Sequence, residues 1–338
     1  MKKEYTKFFR GKVVLVTGGT GSIGSEIVRE ILKYPVKQVR ILSRDEFKQY
    51  TLQQEFHHLP LGKITFLIGD IRDRSRVSLA MEGVDYVYSA AAMKHVSLCE
   101  TNPFEAVKTN VLGIQHLVEE ARAANVKKFT HISTDKAAQP VNVMGATKLL
   151  SEKIVTSAEN YKGGHKTIFS VVRFGNVFGS RGSVAPLFTK QIKNGGPVTL
   201  TDENMTRFMM RIPQAAGLVL SASLLSRGGE LFILKMPVLK IKDLAQAMID
   251  VLAPRYGHKK EDIKIKIIGR KGGEKVYELL MVDEEIDKIY ENKTMFCLTS
   301  RQTPGFKKAK AQFCRSDESV LLTYDELKIL LEDHFKNE

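Results

Sequence analysis

The chain has 338 residues, of which 43% are hydrophobic and 27% charged, ordinary proportions for a globular protein of about two structural units. Residues 1–10 lack the apolar core of a secretory signal, no apolar run approaches the roughly 18 residues of a membrane span, and Cys99, Cys297 and Cys314 show no metal-binding spacing, so a cytoplasmic protein without a metal is expected. Fifty-two basic against 38 acidic residues leave a formal charge of +14, which suits a phosphate-rich ligand but also occurs in proteins with no polyanionic partner. The basic residues are spread along the chain without a helix-turn-helix, zinc-finger or RNA-binding motif, so nucleic acid is not expected.

In chain order, residues 12–17 (KVVLVT) read as a fully buried parallel strand, followed by a glycine-rich turn and a helix over 22–32. Strand 38–42, helix 45–57, strand 64–68 and a short helix at 77–81 follow. Strand 86–90, helix 103–124, strand 128–133, helix 145–159 and strand 168–173 complete the regular part. Strands alternating with helical patterns at least five times predict an α/β fold, a doubly wound parallel sheet of the Rossmann type. After residue 178 the segments become short and turn-rich. A dinucleotide-binding domain is therefore expected over 1–178 and a smaller mixed lobe over 179–338, with some segments returning to the first domain. Thr323 and Glu326 read as a capping box opening a last helix at 324–333.

The turn after the first strand reads Gly18-Gly19-Thr20-Gly21-Ser22-Ile23-Gly24, with glycines at 18, 21 and 24. Glycine permits φ > 0 and lets a pyrophosphate approach the backbone, while the following helix offers free N–H groups. A buried strand before it and a helix after it are the context this motif needs to mark a dinucleotide site. The second strand ends in Ser43-Arg44-Asp45, with Lys48 one turn along. A Ser and an Arg there suit the 2′-phosphate of NADP, since the guanidinium fork matches phosphate oxygens. Were Asp45 rather than Arg44 to face the ribose, NAD would be favoured. Asp70 and Ile71, after the third strand, are placed for the adenine edge, and Asp70 alternatively caps the next turn.

Ser133-Thr134-Asp135-Lys136 follows a strand, and Met144-Gly145-Ala146-Thr147-Lys148 opens a helix. With GGTGSIGSE, SRDEFKQ, GDIRD, AAAMKHV, NPFEAVKTNVLG, STDKAAQPVNVMGATK, RFGNVFGSRGSVAPLF, MTRF and GGEK, the chain resembles the extended short-chain dehydrogenase/reductase superfamily. Within it, the chain is similar to the UDP-N-acetylglucosamine 4,6-dehydratases of polysaccharide biosynthesis over nearly its whole length. Where the superfamily carries Tyr-x-x-x-Lys, this chain has Met144 and Lys148, and methionine has no ionisable proton. The resemblance implies a methionine-bearing branch of these enzymes; a non-catalytic NADP-binding scaffold and a base placed elsewhere are the other readings.

The implied chemistry is internal redox with NADP bound tightly and recycled each turnover. Asp135, with Thr134 beside it, is expected to take the C4 hydroxyl proton and later protonate the departing C6 hydroxyl. Lys136 is expected to abstract the C5 proton, and Lys148 to hold the nicotinamide ribose. Ala90, Ala91 and Ala92 are implied at the cofactor. Lys94 is implied near the sugar, and Asn176, Arg181, Val184, Met205, Arg207, Lys271 and Glu274 near the nucleotide diphosphate and ribose. The family often has Arg where this chain has Lys271, which removes a bidentate fork there unless Arg270 supplies it. Related chemistry on GDP-GlcNAc stays open, and a homo-oligomer, a dimer or larger, is implied. A 4-epimerase of this superfamily would be expected to keep the tyrosine and lack the Asp-Lys pair.

Overall fold

The computed structural model describes residues 2–270, 272–300, 303–309 and 315–335. Helix α1 (Lys2–Phe9) precedes β1 (Val13–Thr17), α2 (Ser22–Leu32), β2 (Gln38–Ser43), α3 (Glu46–Glu55), β3 (Ile64–Ile68), α4 (Arg74–Met81) and β4 (Tyr86–Ser89). Then come α5 (Val96–Thr101), α6 (Pro103–Val107), α7 (Gly113–Ala123), β5 (Lys128–Ile132), α8 (Val143–Tyr161), β6 (Ile168–Arg173) and β7 (Asn176–Phe178). The remainder is α9 (Val184–Lys193), β8 (Val198–Leu200), β9 (Thr206–Arg211), α10 (Ile212–Leu225), β10 (Glu230–Leu234), β11 (Val238–Lys240) and α11 (Ile241–Leu252). It ends with β12 (Ile265–Ile267), α12 (Asp283–Ile286), β13 (Ile289–Glu291), β14 (Met295–Leu298), β15 (Lys307–Lys308) and α13 (Tyr324–Phe335).

Two compact units emerge. The first comprises Met1–Phe174, Ile212–Lys235 and Val282–Gln312; the second comprises Gly175–Arg211, Met236–Met281 and Phe313–Glu338. In the first unit one sheet runs β15-β13-β14-β10-β6-β5-β4-β1-β2-β3. Strands β3 to β10 in that row are all parallel, and β14, β13 and β15 join antiparallel at one end. The order 3-2-1-4-5-6 is that of the doubly wound dinucleotide-binding fold. All five residues of β1 are buried, because helices cover both faces; each buried aliphatic side chain contributes about 1.5–3 kcal/mol. The second unit holds a three-stranded sheet, β11-β9-β7, and a two-stranded one, β12-β8, around a core that includes Phe188, Met209, Leu244 and Leu331. Residues 176–178, which the sequence reading included in the first domain, form β7, which pairs with β9 and groups with the second unit. The capping box forms as expected: Thr323 N–H and Oγ1 donate to Glu326 Oε2 at 2.8 and 2.9 Å.

The helix expected over 103–124 is interrupted. A π-turn, Lys108–Leu112, separates α6 from α7. The buried Asn110 there donates to Met93 O at 2.9 Å and to Thr147 Oγ1 at 3.0 Å, and accepts from Met93 N at 2.8 Å. The widened turn aims this amide at the loop after β4 and at α8, and a π-bulge is a recurrent way to redirect one side chain at a functional site. Gly113 follows because a Cβ there would stand 2.8 Å from Ile71 Cγ1.

Candidate active site

The catalytic candidates and the glycine turn lie in the first unit, beyond the carboxyl ends of its parallel strands, where ligands of open α/β sheets bind. Gly18 has φ +63°, and a Cβ on it would stand 2.7 Å from Ala91 N. A Cβ on Gly24 would meet Gly18 O at 2.3 Å, whereas one on Gly21 would meet only Gly18 O at 3.1 Å. Gly18 and Gly24 are therefore required by close packing, and Gly21 leaves a side of the turn open. Gly21 is the N-cap of α2 and makes no side-chain capping bond, and no acid sits in the first turn, so the helix opens with Ser22, Ile23 and Gly24 on the glycine turn. That is a cradle of the kind a pyrophosphate fills. Ala90 N donates to Thr17 O at 3.1 Å, which fixes the Ala90–Ala91–Ala92 segment beside it.

At the end of β2, Thr20 Oγ1 and Ser43 Oγ are 2.7 Å apart. Asp45 is the N-cap of α3: its carboxylate accepts from Lys48 N at 2.9 Å and pairs with the Lys48 ammonium. Arg44 is exposed, and its Nη1 reaches Asp70 Oδ2 at 3.4 Å. Asp70 also accepts from Arg72 N and Nε at 3.0 and 2.8 Å. The Ile71 side chain packs in the core against Gly113.

The catalytic candidates converge after β5. Asp135 is fully buried; its Oδ1 accepts from Thr134 Oγ1 at 2.8 Å and from Lys136 Nζ at 3.0 Å. Among the described residues its Oδ2 has no hydrogen-bond partner, nor has the buried Ser133 Oγ two positions earlier. A buried polar atom left unpaired costs about 1–3 kcal/mol, a cost that native structures retain mainly where function requires it. Met144, the second residue of α8, lies in an apolar cluster with Cys99 and Ala106, so the side chain at that position has no ionisable proton. One turn on, Lys148 Nζ donates to Ile132 O at 2.6 Å and lies 3.0 Å from His131 Nε2. Burial pushes the Lys148 ammonium down to about 8, against the opposing pull of Glu152. Glu152 is held by Arg173 through Nε and Nη2 at 3.0 and 2.7 Å, and Arg173 in turn binds Glu285 at 2.8 and 3.0 Å. Lys94 sits exposed on the loop between β4 and α5.

In the second unit, Asn176 Oδ1 and Ser183 Oγ are buried and have no hydrogen-bond partner among the described residues. Ser183 is the N-cap of α9 yet makes no capping bond, and Val184 is the first helical residue; exposed Arg181 lies just before them. Met205 is buried, its Sδ 3.3 Å from Thr201 Oγ1. Arg207 is spent on the protein: it donates to Thr206 O, Val276 O and Lys275 O at 2.7, 3.0 and 2.8 Å and lies 3.8 Å from Glu278. A diphosphate contact by Arg207 requires it to exchange those carbonyls. Glu274 is half-buried, Arg270 pairs with Asp202 at 3.6 Å, and Lys271 lies outside the described residues. Sequence reasoning missed Asn110, His131, Ser133, Glu152 and Ser183. An asparagine three positions past a helical valine, and a histidine in a strand otherwise suited to burial, were the only available signals.

Residues 14–300 match the family described as polysaccharide biosynthesis protein. A protein of Methanocaldococcus jannaschii described as an uncharacterised membrane protein is 52% identical over 98% of this chain and 99% of its own. Among the described residues here, no helix is long and apolar enough to cross a membrane. An inverting UDP-N-acetylglucosamine 4,6-dehydratase of Campylobacter jejuni is 42% identical over 86% of this chain and 84% of its own, and a UDP-glucose 4-epimerase of Rickettsia canadensis is 42% identical over 83% and 80%. The crystal structure of Pen from Bacillus thuringiensis superposes with a TM-score of 0.91 at 48% identity, covering 96% of this chain and 98% of that one. With a buried aspartate paired to a half-buried lysine beyond a doubly wound sheet, and a family match over residues 14–300, the chain belongs to the polysaccharide biosynthesis protein family.

Proposed function

We propose that the protein is a nucleotide-sugar 4,6-dehydratase that uses NADP and acts on UDP-GlcNAc, in a branch of its family with methionine in place of the active-site tyrosine. The observation that carries this reading is Asp135: buried, with Oδ1 held by Thr134 and Lys136 and Oδ2 facing no partner. When bound, the nicotinamide supplies reversible hydride acceptance and return. NADP is favoured because Asp45 is committed to capping α3, which leaves Arg44 and the Thr20–Ser43 hydroxyls for the 2′-phosphate. The amides of Ser22, Ile23 and Gly24 hold the pyrophosphate, with Gly18 and Ala90–Ala92 beside it.

Asp135 Oδ2 takes the C4 hydroxyl proton as C4 becomes a ketone, in the place of the absent phenol at Met144. The ketone acidifies C5–H, and Lys136 removes that proton. Asp135 then gives the stored proton to the departing C6 hydroxyl, so that water leaves. Lys136 returns a proton to C5 as hydride is delivered to C6. One carboxyl and one amine end the cycle as they began, and substrate and product differ by one water. Lys148 holds the nicotinamide ribose. Asn176, Arg181 and the α9 N-terminus at Ser183 and Val184 hold the diphosphate, with Lys94 at the sugar. Met205, Lys271 and Glu274 complete the nucleotide contacts, and Arg207 joins them on exchanging its carbonyl partners for phosphate oxygens.

The test is incubation of the protein with UDP-GlcNAc and NADP in deuterated water, read by NMR and mass spectrometry. A 4-keto-6-deoxy sugar with deuterium at C5 supports the reading; an unreacted sugar, with GDP-GlcNAc equally inert, overturns it. The 42% identity to UDP-glucose 4-epimerases favours a second reading, epimerisation at C4. That reaction conserves mass and leaves C5 unexchanged, so the same spectra separate the two.

A further inference from the structure

His131 occupies an interior position of a central strand, where a sheet covered on both faces ordinarily takes a valine or isoleucine. Its ring joins a chain of polar atoms closed off from solvent. Nδ1 lies 3.2 Å from Ser89 Oγ, on the residue opposite it in β4, and Nε2 lies 3.0 Å from both Ser151 Oγ and Lys148 Nζ. Ser89, His131 and Ser151 are fully buried and Lys148 is 5% exposed.

The donors and acceptors fix the ring's protonation. An ammonium only donates, so a charged Lys148 spends one N–H on Ile132 O and a second on a lone pair at Nε2. The ring proton then sits on Nδ1 and donates to Ser89 Oγ, and the Ser151 hydroxyl turns between Nε2 and Lys148 O, 2.7 Å away. The third ammonium N–H has no partner among the described residues. We propose that His131 is a positioning residue: as the neutral Nδ1–H tautomer it grips Lys148 from behind and leaves its third N–H aimed into the site. This rests on the reading that Lys148 holds the nicotinamide ribose. The charged groups on the elements packed against α8 do not compete for the ring. Glu152 is bound to Arg173, which binds Glu285; Asp135 pairs with Lys136; and Glu100 accepts from Val143 N. Burial and the charge of Lys148 both hold His131 neutral, well below the ordinary histidine range.

The experiment uses the full chain labelled with 15N-histidine, the variants His131→Leu and His131→Gln, and NADP, with NAD as a second probe. NMR is expected to show one buried histidine with a protonated Nδ1 and a lone pair at Nε2, unchanged between pH 5 and 7.5. An Nε2–H tautomer, or titration in that window, overturns the proposal. His131→Leu is expected to weaken cofactor binding by calorimetry about tenfold, while His131→Gln, whose amide oxygen can take the place of Nε2, recovers most of it. Equal weakening in both variants with unchanged thermal melting, or no weakening in His131→Leu, also overturns it. None of these readouts needs turnover. An inert protein with the stated tautomer and rescue defeats the dehydratase reading alone; turnover with the wrong tautomer defeats this one alone.

Discussion

Two lysines meet opposite ends of the same strand, and they serve different ends. Lys128 is the first residue of β5, and Lys148 donates to the carbonyl of Ile132, the last. Burial pushes both down to about 8. Lys128 Nζ faces Ser223 O, Leu224 O, Ser226 O and Ser226 Oγ at 2.7, 3.3, 2.8 and 3.1 Å, so its three N–H groups are spent on the C-terminal end of α10. A cation is favourable there because the last carbonyls of a helix are unpaired and carry its negative pole. Lys148 has two acceptors for three N–H groups. A lowered lysine therefore does not mark a site by itself; a donor left over does. The same accounting separates Arg207, whose fork is consumed by carbonyls, from Asp135, which keeps an unpartnered oxygen.

The largest test of that accounting is Asp135→Asn. General acid-base catalysis contributes about 10²–10⁴, and the proposed mechanism gives one carboxyl two steps, so turnover of UDP-GlcNAc should fall about 10³-fold with NADP affinity within twofold. Retained turnover, followed by chromatography of the nucleotide sugars, would remove Asp135 from the mechanism. Next is the exchange of the two lysines for methionine, which keeps most of each apolar stem. Lys148→Met should cost about 10² in kcat and little stability. Lys128→Met should leave kcat within about twofold yet lower urea stability by about 1–3 kcal/mol, the cost of buried carbonyls left unpaired. If the two variants swap effects, the comparison is broken.

Much of the first unit was legible because parallel strands buried on both faces read as continuous apolar runs, as in VVLVT at 13–17. The glycine turn was legible because close packing demands Gly18 and Gly24, Gly18 also through its positive φ. What failed was whatever depends on contacts distant in sequence. The π-turn at 108–112 is dictated by Asn110 meeting Met93 and Thr147, which helical periodicity does not register. The Arg207 contacts depend on a loop 68 and 69 residues away. His131 looked like a strand residue, and only its neighbours on β4 and α8 give it a task. Asp45, which the sequence left open as facing the ribose or not, is seen capping α3.

That last assignment gives a smaller effect. With Asp45 committed to α3, Arg44→Ala should weaken NADP binding about tenfold, near the 1.4 kcal/mol of one exposed charge-assisted contact, and leave NAD unchanged. Equal weakening of both cofactors by calorimetry would mean that Arg44 does not touch the 2′-phosphate.

The smallest effect returns to the two lysines and to pH. Each binds its proton more weakly in the fold, at about 8, than in the unfolded chain, at 10.5. Between those values the unfolded state carries more protons than the folded one, so stability rises as pH rises from about 8 to 10.5. Below about 8 both states are protonated and the two lysines add no slope. For Lys128, partly exposed, the gain is about 1 kcal/mol once solvent screening is allowed for. Lys128→Met should therefore flatten the rise without abolishing it, and urea midpoints at pH 7.5, 9 and 10 measure the difference. An unchanged slope would mean that Lys128 keeps its proton throughout, which its four oxygen neighbours would then explain better than its burial does.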